Sequence, residues 1–547
     1  MRTPRDQRAR RGGRSGRWWP GVAIALAFLA IGLVTLPDYG TTWDERESYD
    51  AGRQNLHILA TVASGSTDFE WPWHELRGYE FAFDTTRAAF ARLVGPALGG
   101  PGDLRGFHLF NLLSAAASLL LVHRIAVDAG AGPGVGALSA LVLATSPKFV
   151  AHSQNNPKDL IGLFVFALAV WAVVRATDRG TPGAFALAGA VVGLAFASHV
   201  LAALLVPLAA AWVLGSEIFS GDAGRPSARG TSRWRRPFLH LVILFAVAGA
   251  VTFVLWPWLW ADPVIRTARV LRRVVFYPVG LPVLYLGRIY PDANPPFHYG
   301  VVSLLVATPA LFSLAAAGGA ATILARHAGA AFAGRKRLAL LALLWAGVLV
   351  VPEALASSRY DGVRHLLPVL SALALLAGLG LERAVAGLGA LWRRGGLPRA
   401  AAASALAALA AWWAWPVADM VRLHPYEDAY LNAATRDLLH RPPEEVFELE
   451  YWGNSYKEGT RWLDAHAPDH AVVLVPIASW CARPWLDDRF SLVEADSYPA
   501  TGRPRYLMIM TREGFYTPAI RRIRRTLSPV FTIRRGRATL LEIYRLS

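Results

Sequence analysis

Apolar runs of membrane-spanning length recur along this chain from residue 19 to residue 416, and short clusters of charge separate them. A span needs about 20 mostly apolar residues to cross the hydrocarbon core, whereas a soluble helix or strand interleaves polar and apolar residues at its own period. The pattern therefore predicts a mainly α, polytopic membrane protein. Spans are expected at 19–36, 107–127, 134–150, 160–175, 183–198, 200–217, 239–258, 300–325, 338–354, 365–384 and 400–416, eleven in all.

The formal charge of +17 would suit a nucleic-acid binder if the basic residues lay on one soluble face. They do not. Arg2, Arg5, Arg8, Arg10, Arg11, Arg14 and Arg17 precede the first apolar run, which by the positive-inside rule places residues 1–18 in the cytoplasm. Counting spans from there puts four further clusters on the same side: Arg175 and Arg179; Arg225, Arg229, Arg233, Arg235 and Arg236; Arg326, Arg335, Lys336 and Arg337; and Arg393, Arg394 and Arg399. Only Ser198 and His199 separate the fifth and sixth spans, and merging those spans would invert every later cluster. The basic excess is a topology signal and excludes nucleic acid as partner. The first run is longer than a signal-peptide core and lacks a clear cleavage site, so it reads as an uncleaved span of a cytoplasmic-membrane protein.

In this register the outer face receives a first loop of 37–106, segments near 151–159, 259–299 and 355–364, and a tail from 417 to 547. The tail carries strand-length apolar runs at Ala471–Pro476, Tyr506–Met510 and Thr539–Tyr544, which predict a small α/β domain outside the membrane. The transmembrane domain then occupies 19–416. The single cysteine, Cys481, rules out an internal disulfide and argues against cysteine-ligated metal.

Chemistry-bearing residues gather in the outer segments. Asp38, Asp44, Glu45 and Glu47 follow the first span within about two helical turns. At a bilayer edge a carboxylate's pKa can rise and its pull on a hydroxyl proton strengthens. Spacing alone equally allows Asp44 and Glu45 to cap a helix that starts near Thr42. Lys158, Arg359, Arg364 and His365 are placed to meet a phosphate, or to snorkel toward headgroups. Asn155, Asn156 and Asp159 accompany Lys158; Asp159 reads as a second acidic site residue, as a partner of Lys158 or as a cap of its span. His298 and Tyr299 are possible substrate contacts. Arg266, Arg269, Arg272 and Arg273 alternate with aliphatic residues at helical spacing and predict a basic helix lying on the membrane, after an aromatic belt of Trp256, Trp258 and Trp260.

The stretch Trp43-Asp44-Glu45-Arg46-Glu47-Ser48-Tyr49-Asp50-Ala51-Gly52 resembles the signature of glycosyltransferase family 39, which includes the protein O-mannosyltransferases and resembles the lipid A aminoarabinose transferases. Asn155-Asn156-Pro157-Lys158-Asp159, Pro295-Pro296-Phe297-His298-Tyr299 and Arg359-Tyr360-Asp361-Gly362-Val363-Arg364-His365 follow in family order. The tail motif from Glu448 to Glu458 is similar to that of uncharacterised bacterial members.

The resemblance implies a GT-C fold and an inverting transfer of a sugar from a polyprenyl-phosphate carrier to a lipid, glycan or protein acceptor. It also implies Asp44 as base or acceptor-orienting group and Glu45 as its partner. Neither a cofactor nor a metal site is identified, and acidic residues beside a phosphate leave a divalent ion open. Membrane lipids are the remaining expected partner. A lipid-linked-sugar flippase, a polysaccharide ligase and a non-catalytic binding protein are the competing readings. A flippase would place its ionisable groups near the midplane in repeated, broken helices.

Overall fold

The computed structural model describes residues 18–66, 81–99, 102–220, 232–276, 279–324, 330–395, 398–494 and 505–546. The arginines between 2 and 17, Arg225, Arg229 and Arg326 lie outside the described residues.

Among the described residues, seven helices are long and apolar enough to cross a membrane: Trp19–Asp38, Asp103–Asp128, Asp159–Arg179, Trp234–Leu255, Ala333–Leu355, Val369–Arg393 and Arg399–Leu423. Two bent pairs, Pro133–Ala144 with Pro147–Asn155 and Tyr299–Ala307 with Ala310–Leu324, raise the number to nine at most. The expected spans at 183–198 and 200–217 are the shorter apolar helices Pro182–Phe196 and Val200–Ser216. With each bent pair taken as one, nine of the eleven expected spans reach that length among the described residues, and these two fall short of it.

Proline causes both bends. It lacks the N–H that an α-helix needs and pushes the preceding residue out of the helical region. Ser146 before Pro147 and Thr308 before Pro309 are both extended, and the axes turn by 67° and 115°. His199 is extended as well, with φ −156° and ψ 127°, so the chain does break where Ser198 and His199 interrupt the apolar run.

The bundle core is built from buried Ala, Leu and Val. Its tightest crossing lies between Ala310–Ala320 and Val369–Arg393. There a Cβ at Gly319 would overlap the Leu376 carbonyl and one at Gly380 the Ala315 carbonyl, so only glycine lets the backbones touch. Ile31 and Val34 stay largely exposed, as lipid-facing side chains of the first span should.

The segments expected outside the membrane are structured. Residues 37–106 contain the helices Glu45–Ala63 and Phe81–Leu98, and 259–299 contains the anticipated basic helix, Pro263–Val275. A hairpin of β1 (Val283–Tyr285) and β2 (Arg288–Tyr290) follows, closed by Leu286 and Gly287, which both take positive φ as a tight hairpin turn demands.

The C-terminal region forms a five-stranded sheet from β3 (Val472–Leu474), β4 (Ser491–Val493), β5 (Tyr506–Met510), β6 (Phe531–Arg535) and β7 (Ala538–Arg545). Its order is β4-β3-β5-β7-β6. β3 runs parallel to β4 and β5, while β7 is antiparallel to β5 and β6. β3, β5 and β7 coincide with the three strand-length runs. The sheet's core is continuous with Val283, Tyr285 and Tyr299, so this region packs onto the hairpin and onto the start of a bent span. The preceding helix continues to Leu423, past the expected end at 416.

Candidate active site

The acidic pair after the first span divides into two roles. Asp44 stands at the N-cap position of Glu45–Ala63, yet its side chain makes no capping bond. Glu45 turns back on the chain: its Oε2 accepts from the Thr42 backbone N–H at 2.9 Å, and its Oε1 lies 2.6 Å from His108 Nε2. Glu45 thereby fixes the turn that leads into the helix. Asp44 instead pairs with Arg364.

Arg364 reaches Asp44 because Asp361 and Gly362 both adopt left-handed φ, 55° and 63°, and swing the chain into the short 3-10 turn Arg364–Leu366. All three guanidinium nitrogens are engaged. Nη2 donates to Asp44, Nε to Asp159 Oδ2 at 3.1 Å and Nη1 to Asp361 Oδ2 at 2.9 Å. The Trp452 ring lies 4.7 Å from the guanidinium carbon and covers it.

Asp159 opens its helix, and Asn156 caps that helix by accepting from the backbone N–H groups of Lys158 and Asp159 at 3.1 and 3.0 Å. The Asn156 amide also donates to Asp159 Oδ2 at 3.0 Å. Asn155 ties this turn to the first loop: its amide donates to the Gly40 carbonyl at 3.2 Å, and its own carbonyl accepts from Thr42 Oγ1 at 2.7 Å. Lys158 Nζ lies 3.1 Å from Glu47 Oε2 at the more open edge of the cluster.

Burial pushes the Asp44 carboxyl up, but Arg364 and then Lys158 outweigh it and hold Asp44 below the usual carboxylate range. Asp44 is thus ionised at neutral pH. Burial and the Arg364 charge push His365 down to about 4, so at pH 7 it is neutral and supplies no cation, contrary to its expected role as a phosphate-binding charge. It sits edge-on to Tyr360 with ring centroids 4.7 Å apart.

Arg359 is spent on structure. It donates to the Pro295 carbonyl at 3.0 and 2.6 Å, to Asn294 Oδ1 at 2.6 Å and to the Ala356 carbonyl at 2.5 Å, locking two loops together. His298 shares a hydrogen bond of 2.7 Å with the Tyr285 hydroxyl, and the Tyr299 hydroxyl accepts from Gly362 N at 2.7 Å. The structure therefore joins Asp44, Asp159 and Arg364, with Asn155, Asn156 and Lys158 around them. Arg359, His298 and Tyr299 shape the loops beside that centre. Among the described residues no group of three or more His, Cys, Asp or Glu is arranged to hold a metal ion.

Comparisons with known proteins bear on this arrangement. The family described as dolichyl-phosphate-mannose-protein mannosyltransferase matches residues 97–256, a stretch that contains Asn155, Asn156, Lys158 and Asp159. The archaeal oligosaccharyltransferase AglB from Archaeoglobus fulgidus is similar over 90% of this chain and 70% of its own, with TM-score 0.50 at 11% identity. ArnT from Cupriavidus metallidurans, solved with undecaprenyl phosphate, is similar over 96% of this chain and 97% of its own, with TM-score 0.45 at 17% identity. No curated protein matches the sequence. The chain has a GT-C glycosyltransferase fold.

Within this GT-C fold several site residues escaped the sequence reading. Asp361 sits inside the motif that supplies Arg364 but carries no signal of its own. His108 lies in an apolar run, where a buried imidazole needs a partner, and that is the one clue it offers. Glu448 and Trp452 belong to the tail motif already singled out and Arg512 lies farther along the C-terminal region, but nothing in their local sequence points toward residue 364.

Proposed function

We propose that this protein transfers a sugar from a polyprenyl-phosphate carrier to an acceptor on the outer side of the cytoplasmic membrane, with Asp44 as general base or acceptor-orienting group. The observation that carries this reading is the convergence of Asp44, Asp159 and Arg364, from three segments far apart in sequence, at the ends of the helices. The dolichyl phosphate in the description of the matched family, and the dolichol phosphate bound to AglB, support a polyprenyl-phosphate donor.

The bond between the anomeric carbon and the phosphate oxygen breaks while a bond to the acceptor oxygen forms. The acceptor's proton passes to Asp44, and the carrier leaves as polyprenyl phosphate. Negative charge grows on that phosphate, and Lys158, the more open cation of the cluster, would receive it. A phosphate that draws on Lys158 and Arg364 loosens their hold on Asp44. Asp44 then becomes a stronger base only when donor is bound. A lipid, glycan or protein hydroxyl, or a phosphate, would serve as acceptor. The C-terminal sheet region then stands on the outer side, over the site.

The test is transfer from a panel of labelled polyprenyl-phosphate sugars by the full-length protein in membranes, with products read by mass spectrometry. Asp44→Asn should lower transfer by about a hundredfold or more while the protein still folds. Silence of the wild type across the panel, or undiminished transfer by the variant, refutes the reading.

A further inference from the structure

The C-terminal sheet sends one charge into the site. Arg512 follows β5, and its side chain is only 2% exposed. Nη2 lies 2.5 Å from Asp361 Oδ1, Nη1 donates to the Tyr451 carbonyl at 3.3 Å, and Nε is 3.7 Å from Glu448. The other oxygen of Asp361 accepts from Arg364 at 2.9 Å. One carboxylate is therefore shared by two guanidiniums: one holds Asp44, and the other belongs to a region 151 positions later in the chain.

A second contact runs to the same place. The Arg512 guanidinium lies over the ring of Trp43, the residue directly before Asp44, at 5.0 Å, and over Phe515 at 4.5 Å. Trp480 Nε1, also from the C-terminal region, donates to the Trp43 carbonyl at 3.0 Å. Charge counting gives Arg512 a reason to be there. Asp44, Asp159 and Asp361 share Arg364 at their centre, with His199 3.8 Å from Asp159 Oδ1, and buried carboxylates in that excess are costly unless other cations stand nearby. Lys158 and Arg512 are those cations.

We propose that Arg512 is a positioning residue for the Asp44–Arg364 pair, so that the C-terminal sheet region completes the active site. By holding one oxygen of Asp361, Arg512 fixes the aim of the Arg364 guanidinium and limits how much of Asp361's negative charge is felt at Asp44. This rests on the transfer reaction proposed above.

The groups that face Asp44 are Arg364 and Tyr360 from their turn, Lys158 and Asp159 from the start of their helix and Cys481 from the C-terminal region, with Asp361 acting through Arg364. Two substitutions at opposite ends of one contact should move Asp44 in opposite directions. Arg512→Gln removes a positive charge, so Asp44 protonates more readily and the acidic limb of the pH–rate profile moves up by roughly half a unit. Asp361→Asn removes a negative charge, and the limb moves down by a similar amount. Arg512→Gln should also lower kcat about tenfold or more through misaiming, while Arg512→Lys restores the position of the limb.

The experiment is the pH dependence of transfer by the full-length wild type, Arg512→Gln, Arg512→Lys and Asp361→Asn in membranes. A silent wild type overturns the transfer reading and this inference with it. An active wild type whose limb stays put in Arg512→Gln and Asp361→Asn, or moves the same way in both, overturns the role of Arg512 alone. Should Arg512→Gln fail to fold, a downward shift in Asp361→Asn with Arg512→Lys near wild type supports the inference, and an unmoved Asp361→Asn limb overturns it.

Discussion

Arg364 Nε stands 3.1 Å from Asp159 Oδ2, a buried pair 205 positions apart that ties the turn before one span to the first residue of another. The same guanidinium holds Asp44 and Asp361, so a single side chain joins all three segments through charge, and the Lys158–Glu47 pair at 3.1 Å ties two of them a second time. Its energetic weight is therefore large. Removing one member of a buried ion cluster leaves the others uncompensated, at about 3–5 kcal/mol.

Arg364→Gln should lower the thermal midpoint of the protein in detergent by an amount matching that loss and should abolish transfer. Arg364→Lys should restore little, because one ammonium cannot present the planar fork that meets three carboxylates. Full stability in the lysine variant would show that the fork geometry does not matter.

Lys158 is expected to act on donor binding. Losing one charge-assisted hydrogen bond to a phosphate costs about 1.5–3 kcal/mol, or roughly tenfold or more in affinity. Lys158→Gln should raise KM for the carrier-linked sugar by about that factor with a smaller change in kcat, and Lys158→Arg should recover most of it. A change confined to kcat would remove Lys158 from the phosphate site.

Glu45 should prove structural beside Asp44. Truncation to alanine deprives His108 and the Thr42 backbone N–H of their shared acceptor, at about 1–3 kcal/mol. Glu45→Gln, which keeps an acceptor for Thr42, should destabilise less than Glu45→Ala and lower kcat far less than Asp44→Asn. Equal losses from Glu45→Gln and Asp44→Asn would make Glu45 a reacting group too.

Burial pushes the Glu448 carboxyl up to about 7, against the opposing pull of Arg512. The folded chain then keeps that proton to near neutrality, while the unfolded chain releases it near the ordinary value of 4.5. Stability contributed by this group is present at pH 4.5 and is lost as pH rises toward 7, on the order of 1–3 kcal/mol in full. Glu448→Gln should flatten the fall in thermal midpoint between pH 5 and pH 8; parallel curves for the variant and the wild type would refute the assignment.

The sequence by itself determined the class of molecule, because segregation of apolar runs from charge is a local property that bilayer thickness converts directly into helices. It also located strands β3, β5 and β7, but not the bends at Pro147 and Pro309, which fall inside expected spans 134–150 and 300–325, since prolines such as Pro237 and Pro352 stand inside continuous helices. The loop that carries Trp43-Asp44-Glu45 and the turn from Asn155 to Asp159, both singled out in the sequence, lie against each other in the structure. What composition could not settle was span count: Pro182–Phe196 and Val200–Ser216 are apolar enough but short.

Tertiary structure alone decided which charges do what. Asp44 and Glu45 are neighbours with the same chemistry, and they diverge because the helix start aims one at Arg364 and the other at Thr42 and His108. Arg359 and Arg364 lie five positions apart in one motif. Backbone carbonyls from another loop consume the first, and carboxylates from three segments claim the second. His365 loses its charge to burial beside Arg364. Arg512 joins the site from the far end of the chain through Asp361. A charge's role is set by the groups within a few ångströms of it, and here those groups come from hundreds of positions away.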